Sequence, residues 1–106
     1  MVGLTVTKNA APSITVDWFA SCSAADVDYG VYEGTIGNWY SHVPVTGLCL
    51  TGGATSATFN AGPGNHYYLV VPTDMVTEGS YGKDSALVER PASTTPCAVQ
   101  SIGSCP

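Results

Sequence analysis

His66-Tyr67-Tyr68-Leu69-Val70-Val71-Pro72, followed by Glu78-Gly79-Ser80-Tyr81-Gly82-Lys83-Asp84-Ser85, decides how this chain folds. The first run is apolar and aromatic, of strand length, and it follows the turn-rich Ala61-Gly62-Pro63-Gly64-Asn65, so it reads as a buried strand. The second is a turn rich in Gly and Ser that enters a further strand over residues 85–90, stopped by Pro91. Together they look like the closing part of a small β-sandwich, and nothing in them resembles a reaction centre.

Outward from that stretch the pattern repeats. Leu4-Thr5-Val6-Thr7 alternates apolar and polar residues, and Asn9-Ala10-Ala11-Pro12 ends that strand with turn chemistry. Ile14, Val16 and Trp18 share one face of a second strand, opposite Thr15, Asp17 and Phe19. In a third, Val27, Tyr29 and Val31 alternate with Asp28, Gly30 and Tyr32, so Asp28 is expected in solvent. Residues 33–38 read as a turn. Residues 39–45 read as a fourth strand, whose Pro44 cannot donate to a ladder and favours a sheet edge. Residues 54–60 supply a fifth strand. No helical period and no internal repeat occurs, and short strands spaced by roughly 8 to 12 residues predict an all-β fold, a seven-stranded antiparallel sandwich.

The 106 residues suffice for one domain and one core. The sandwich is expected over residues 1–91, with residues 92–106 a cysteine-containing tail packed on it. Only 10% of residues are charged and 44% are hydrophobic, so the chain has the apolar surface to offset its conformational entropy. The net charge of −5, with Lys8, Lys83 and Arg90 the cations, opposes nucleic acid and anionic membranes as partners. No apolar run approaches the ~20 residues of a membrane span, so no membrane insertion is expected.

Cys22, Cys49, Cys97 and Cys105 in so short a chain point to an oxidising compartment, hence a secreted or cell-surface protein. No Cys-x-x-Cys knuckle favours zinc. No secretory leader is visible, and the expected parent is a longer exported protein. Four cysteines permit three pairings. If strands run alternately up and down, Cys22 and Cys49 fall at one end and Cys97 at the other. Bridged Cα atoms stay within about 7 Å, so Cys22 with Cys49 and Cys97 with Cys105 are the expected pairs.

Trp18, the run Asp28-Tyr29-Gly30-Val31-Tyr32-Glu33-Gly34, the run Tyr67-Tyr68-Leu69-Val70-Val71 and Glu78-Gly79-Ser80-Tyr81-Gly82 resemble, in this order, a bacterial fibronectin type III-like module. The resemblance covers most of residues 2–91. It implies a seven-strand sandwich serving as a spacer or adhesive module of an extracellular multidomain protein, with no catalysis of its own. The common form of the family lacks disulfides.

His42 and His66 are the available imidazole bases, and no Gly-x-Ser-x-Gly elbow accompanies them. Paired carboxylates can do glycosidic acid and base work, and Asp26, Asp28 and Glu33 lie close in sequence, but a small filled sandwich is expected to offer no deep cleft. Asp74, Glu78 and Asp84 surround one turn region and are a weak calcium alternative, although their spacing matches no defined calcium loop; turn amides, Lys83 or Arg90 are the rival partners, and no cofactor is expected. Trp39, Tyr40 and Tyr81 are candidate contacts for a sugar ring, because flat side chains cover apolar sugar faces. The reading is a structural or protein-interaction module, with a carbohydrate-binding module as the alternative. Its partner would be a protein or polysaccharide at the cell surface, or a second copy joined through an edge strand.

Overall fold

The structure, a computed structural model, describes residues 4–21, 26–82 and 86–101, with Trp39 described by its backbone alone. Among the described residues no helix forms, and the strands are β1 (Leu4–Lys8), β2 (Ser13–Trp18), β3 (Asp28–Thr35), β4 (Asn38–Pro44), β5 (Ser56–Asn60), β6 (His66–Thr73), β7 (Thr77–Glu78) and β8 (Val99–Gln100). They make a three-stranded sheet in the order β1-β2-β5 and a five-stranded sheet in the order β4-β3-β6-β7-β8. Every pairing is antiparallel except that of β7 with β8.

One apolar cluster draws on both sheets. Ile14, Val16 and Trp18 of β2 meet Tyr29 and Val31 of β3 and Val70 of β6. Trp18 and Tyr29 pack edge to face at 5.7 Å, and Phe59 and Tyr68 do so at 5.6 Å. Such pairs add to the burial of their surface because the positive ring edge meets the negative face.

The five-stranded sheet is also covered on its other side. Residues 28–32 of β3 and 69–73 of β6 are buried without alternation, which a strand shows when both of its faces are shielded from water. On this outer face Tyr32, Leu69, Val71 and Tyr81 form a second cluster, against which Tyr67, Ala92 and Cys97 pack. The cover is the segment that follows β7.

Two expectations are corrected here. Among the described residues eight strands form rather than seven, and residues 86–90 do not form the strand that follows β6. That place is taken by Thr77 and Glu78, because the chain reverses at once after β6: Asp74 Oδ1 accepts from the amides of Val76 at 2.9 Å and Thr77 at 2.7 Å, closing a tight turn. The segment expected as the seventh strand instead folds back, with Arg90 N donating to Gly82 O and Glu89 Oε1 accepting from the Tyr81 amide.

The second correction concerns the cysteines. Cys49 is bonded to Cys97, with Cα atoms 5.5 Å apart. The expected partners Cys22 and Cys105 lie outside the described residues. Cys97 does not fall at the opposite end, because no full-length seventh strand precedes it. The chain beyond the two-residue β7 runs back across the outer face and brings Cys97 to the loop after β4.

Candidate functional site

Among the described residues the outer face gathers His42, Tyr67, Tyr32, Tyr81 and Glu78, and its construction begins at a glycine. Gly34 of β3 pairs with Tyr67 of β6, and a Cβ at position 34 would lie 2.1 Å from the Tyr67 ring. The missing side chain lets that ring cross over β3 towards β4. There the register slips, so that Gly34 alone stands opposite residues 39–42, and Tyr40 adopts φ 70. A bulge of this kind re-aims side chains. The Tyr40 amide donates to Tyr67 Oη at 3.1 Å, and His42 turns inward, 1% exposed.

His42 Nδ1 lies 3.0 Å from Tyr67 Oη and its Nε2 lies 2.8 Å from Pro91 O. A carbonyl can only accept, so the Nε2–H tautomer satisfies both contacts, with the Tyr67 hydroxyl donating to Nδ1. The imidazole lies against Tyr81, ring centres 5.2 Å apart, and Tyr81 meets Tyr32 edge to face at 4.9 Å. Both phenols donate to the buried Glu78 carboxylate at 2.6 Å, Tyr32 to Oε2 and Tyr81 to Oε1. Tyr32 Oη in turn accepts from the Cys97 amide at 2.9 Å. Burial pushes the Tyr32 phenol up to about 12 against the pull of that amide, and burial with the bond to Glu78 raises Tyr81 as well.

This network is closed. A general base must reach the proton that it takes, whereas His42, Tyr32, Tyr81 and Glu78 are all buried, with both His42 nitrogens held by Tyr67 and Pro91 and both Glu78 oxygens by Tyr32 and Tyr81. It also overturns several expectations. Tyr81 is fully buried, so it shares no sugar platform with Tyr40, which is half exposed; the Trp39 side chain lies outside the described atoms. Glu78 is spent on two tyrosines and Asp74 on its own turn, so these two do not gather around an ion, and Asp84 lies outside the described residues. The reason is common to both: the chain after β7 folds inward rather than continuing as an exposed strand.

Asp28 likewise departs from its expected place in solvent. It is buried at the start of β3, where the loop after β4 covers it, and its Oδ1 accepts from the amides of Tyr29, Thr51 and Gly53 and from the Thr51 hydroxyl at 2.7 to 3.1 Å. Burial works to raise its pKa, yet these donors together hold the carboxyl below its ordinary value. Glu33 stands five residues along the same strand, about 16 Å away at ~3.3 Å per residue. It accepts from Tyr68 Oη at 2.8 Å and lies 3.7 Å from His66 Nδ1. That separation is well beyond the roughly 5 to 9.5 Å of a glycosidase pair, so Asp28 and Glu33 do not act together.

Compared with protein-family models, with curated proteins and with solved structures, the chain gives no significant match in any of the three.

Proposed function

We propose that this chain is a non-catalytic structural or protein-interaction module of a secreted or cell-surface protein, built as a fibronectin type III-like sandwich with an added outer layer. The strand orders β1-β2-β5 and β4-β3-β6-β7, with one apolar cluster shared by both sheets, support the sandwich. The disulfide between Cys49 and Cys97 supports an oxidising compartment.

The observation that carries the reading is the closed network of His42, Tyr67, Tyr81, Tyr32 and Glu78. The densest set of reactive groups in the described chain is spent on holding a layer in place rather than offered to a substrate. Self-association through β4 is opposed by its bulge and by Pro44, devices that blunt a sheet edge.

Retention of the chain on insoluble cellulose, chitin and xylan tests the reading. The expected result is no retention. Retention that is lost in Trp39→Ala or Tyr40→Ala would replace the module with a carbohydrate binder.

A further inference from the structure

We propose that one end of the module, presenting Phe19, Val27, Leu50, Met75 and Val76, docks a protein partner whose apolar contact surface is flanked by Lys or Arg. The inference rests on the reading of the chain as an interaction module and names the surface that would do the interacting.

These residues sit at the ends of β2 and β3 and in the connections β4–β5 and β6–β7, which the fold brings to one end. Val27 N donates to Thr73 O at 3.0 Å, Asp28 Oδ1 binds the amides of Thr51 and Gly53, and Ser21 N donates to Tyr29 Oη at 2.9 Å. Three residues or fewer from those anchors, Phe19 is 79% exposed, Val27 57%, Leu50 46%, Met75 55% and Val76 76%. Single exposed apolar side chains are ordinary, but the topology carries five of them to one end, where together they can serve an interaction.

The turn between β6 and β7 strengthens the case. Met75 has φ 79, a left-handed conformation that favours Gly, Asn or Asp, and its neighbour Val76 is β-branched and almost bare. A turn selected for stability alone would carry a small polar residue there. This one is held rigid by Asp74 and by Thr73 Oγ1, which accepts from Met75 N at 3.1 Å, so the two apolar side chains are presented in a preorganised form.

Charge selects the occupant. Asp26 flanks Val27 and the exposed Asp74 precedes Met75, with the Asp74 carboxyl kept below its ordinary pKa by the Thr77 and Val76 amides. Among the described residues the cations stand elsewhere: Lys8 pairs with Ile14 at the far end of β1, and Arg90 donates to Tyr81 O. A second copy would bring the same acids to the contact, and an anionic lipid surface would repel them. A protein surface with basic residues around an apolar centre complements them.

The test is selection of a displayed library of random 12-residue peptides on the full chain, with subtraction against Met75→Gly/Val76→Ser. Glycine suits φ 79, so this variant keeps the turn. Surviving peptides should combine Leu, Ile or Phe with Lys or Arg. Their affinity should fall at least about ten-fold on the double variant, fall further as salt is raised, and stay unchanged on Leu87→Ser, an exposed apolar control elsewhere. Absence of tip-dependent peptides, survivors without cations, or tip-dependent dimerisation or binding to phosphatidylcholine vesicles in place of peptide binding would overturn the proposal. Polysaccharide retention that depends on Tyr40 and ignores the tip variant would overturn the module reading, and this proposal with it.

Discussion

The two faces of the five-stranded sheet are closed by different physics. On the inner face Tyr29, Val31 and Val70 meet Ile14, Val16 and Trp18, an interior held by dispersion and exclusion of water. On the outer face the same strands carry Tyr32, Leu69 and Val71, covered by a segment with little regular structure that is secured by hydrogen bonds to buried polar groups and by the Cys49–Cys97 bridge. A second sheet can shield a face through its own ladder. An irregular segment cannot, and so it needs specific polar partners and a covalent tie.

Breaking the inner face should cost most. Trp18→Ala removes the largest side chain of that interior and should lower stability by about 3 to 5 kcal/mol, read as a shift of the urea midpoint. Cys49→Ala/Cys97→Ala opens a loop with a sequence separation of 48 and should cost about 2 to 4 kcal/mol. The two differ in where they act: amide exchange should rise first over residues 89–97 in the cysteine variant and across all strands in the tryptophan variant. Equal protection of the two regions in the cysteine variant would show that the outer layer is no separate unit.

Alkali acts on both faces, through Tyr32 and Tyr81 on the outer and Tyr68 on the inner. The Tyr32 phenol titrates at about 12 in the folded chain and near 10 when unfolded, so its stabilisation is intact below about pH 10 and is lost as pH rises through 12. The loss from Tyr32 should reach about 2 to 3 kcal/mol, and because the Tyr81 and Tyr68 phenols are raised as well, Tyr32→Phe should make that limb shallower without abolishing it. The smallest effect, about 1 to 3 kcal/mol, is expected of Gly34→Ala, which pushes the Tyr67 ring off β3. Near-ultraviolet circular dichroism should register the displaced tyrosine while β2 retains its exchange protection.

The inner face was legible because alternation reports one buried side: Ile14, Val16 and Trp18 in β2, and Tyr29 and Val31 in β3, were placed by parity alone. The outer face hid behind the same rule. Parity alone predicts Asp28 in solvent, because a face opposite a core is normally wet, and Tyr81 reads as a candidate sugar contact; the loop after β4 covers the first and the segment after β7 buries the second. The signal was present in Leu69-Val70-Val71, an unbroken apolar run of the kind that a strand buried on both sides carries. The length of β7 was not readable, since the tight turn that shortens it depends on where the Asp74 carboxylate points. The cysteine pairing failed with it, being inferred from strand ends that are not where a seven-strand scheme places them. The buried polar contacts join His42 to Tyr67 across 25 positions and Tyr32 to Glu78 across 46, which local spacing cannot reveal.

The passage of Tyr67 over Gly34 has a mechanical consequence. An outermost strand pulled along its length usually unzips, one ladder rung failing after another. Here β4 is also tethered, through the Tyr40 amide and the His42 imidazole, to a phenol rooted two strands away in β6. Tension on β4 is therefore shared with the middle of the sheet from the outset, and the strand should resist extension until that side chain is torn from its groove.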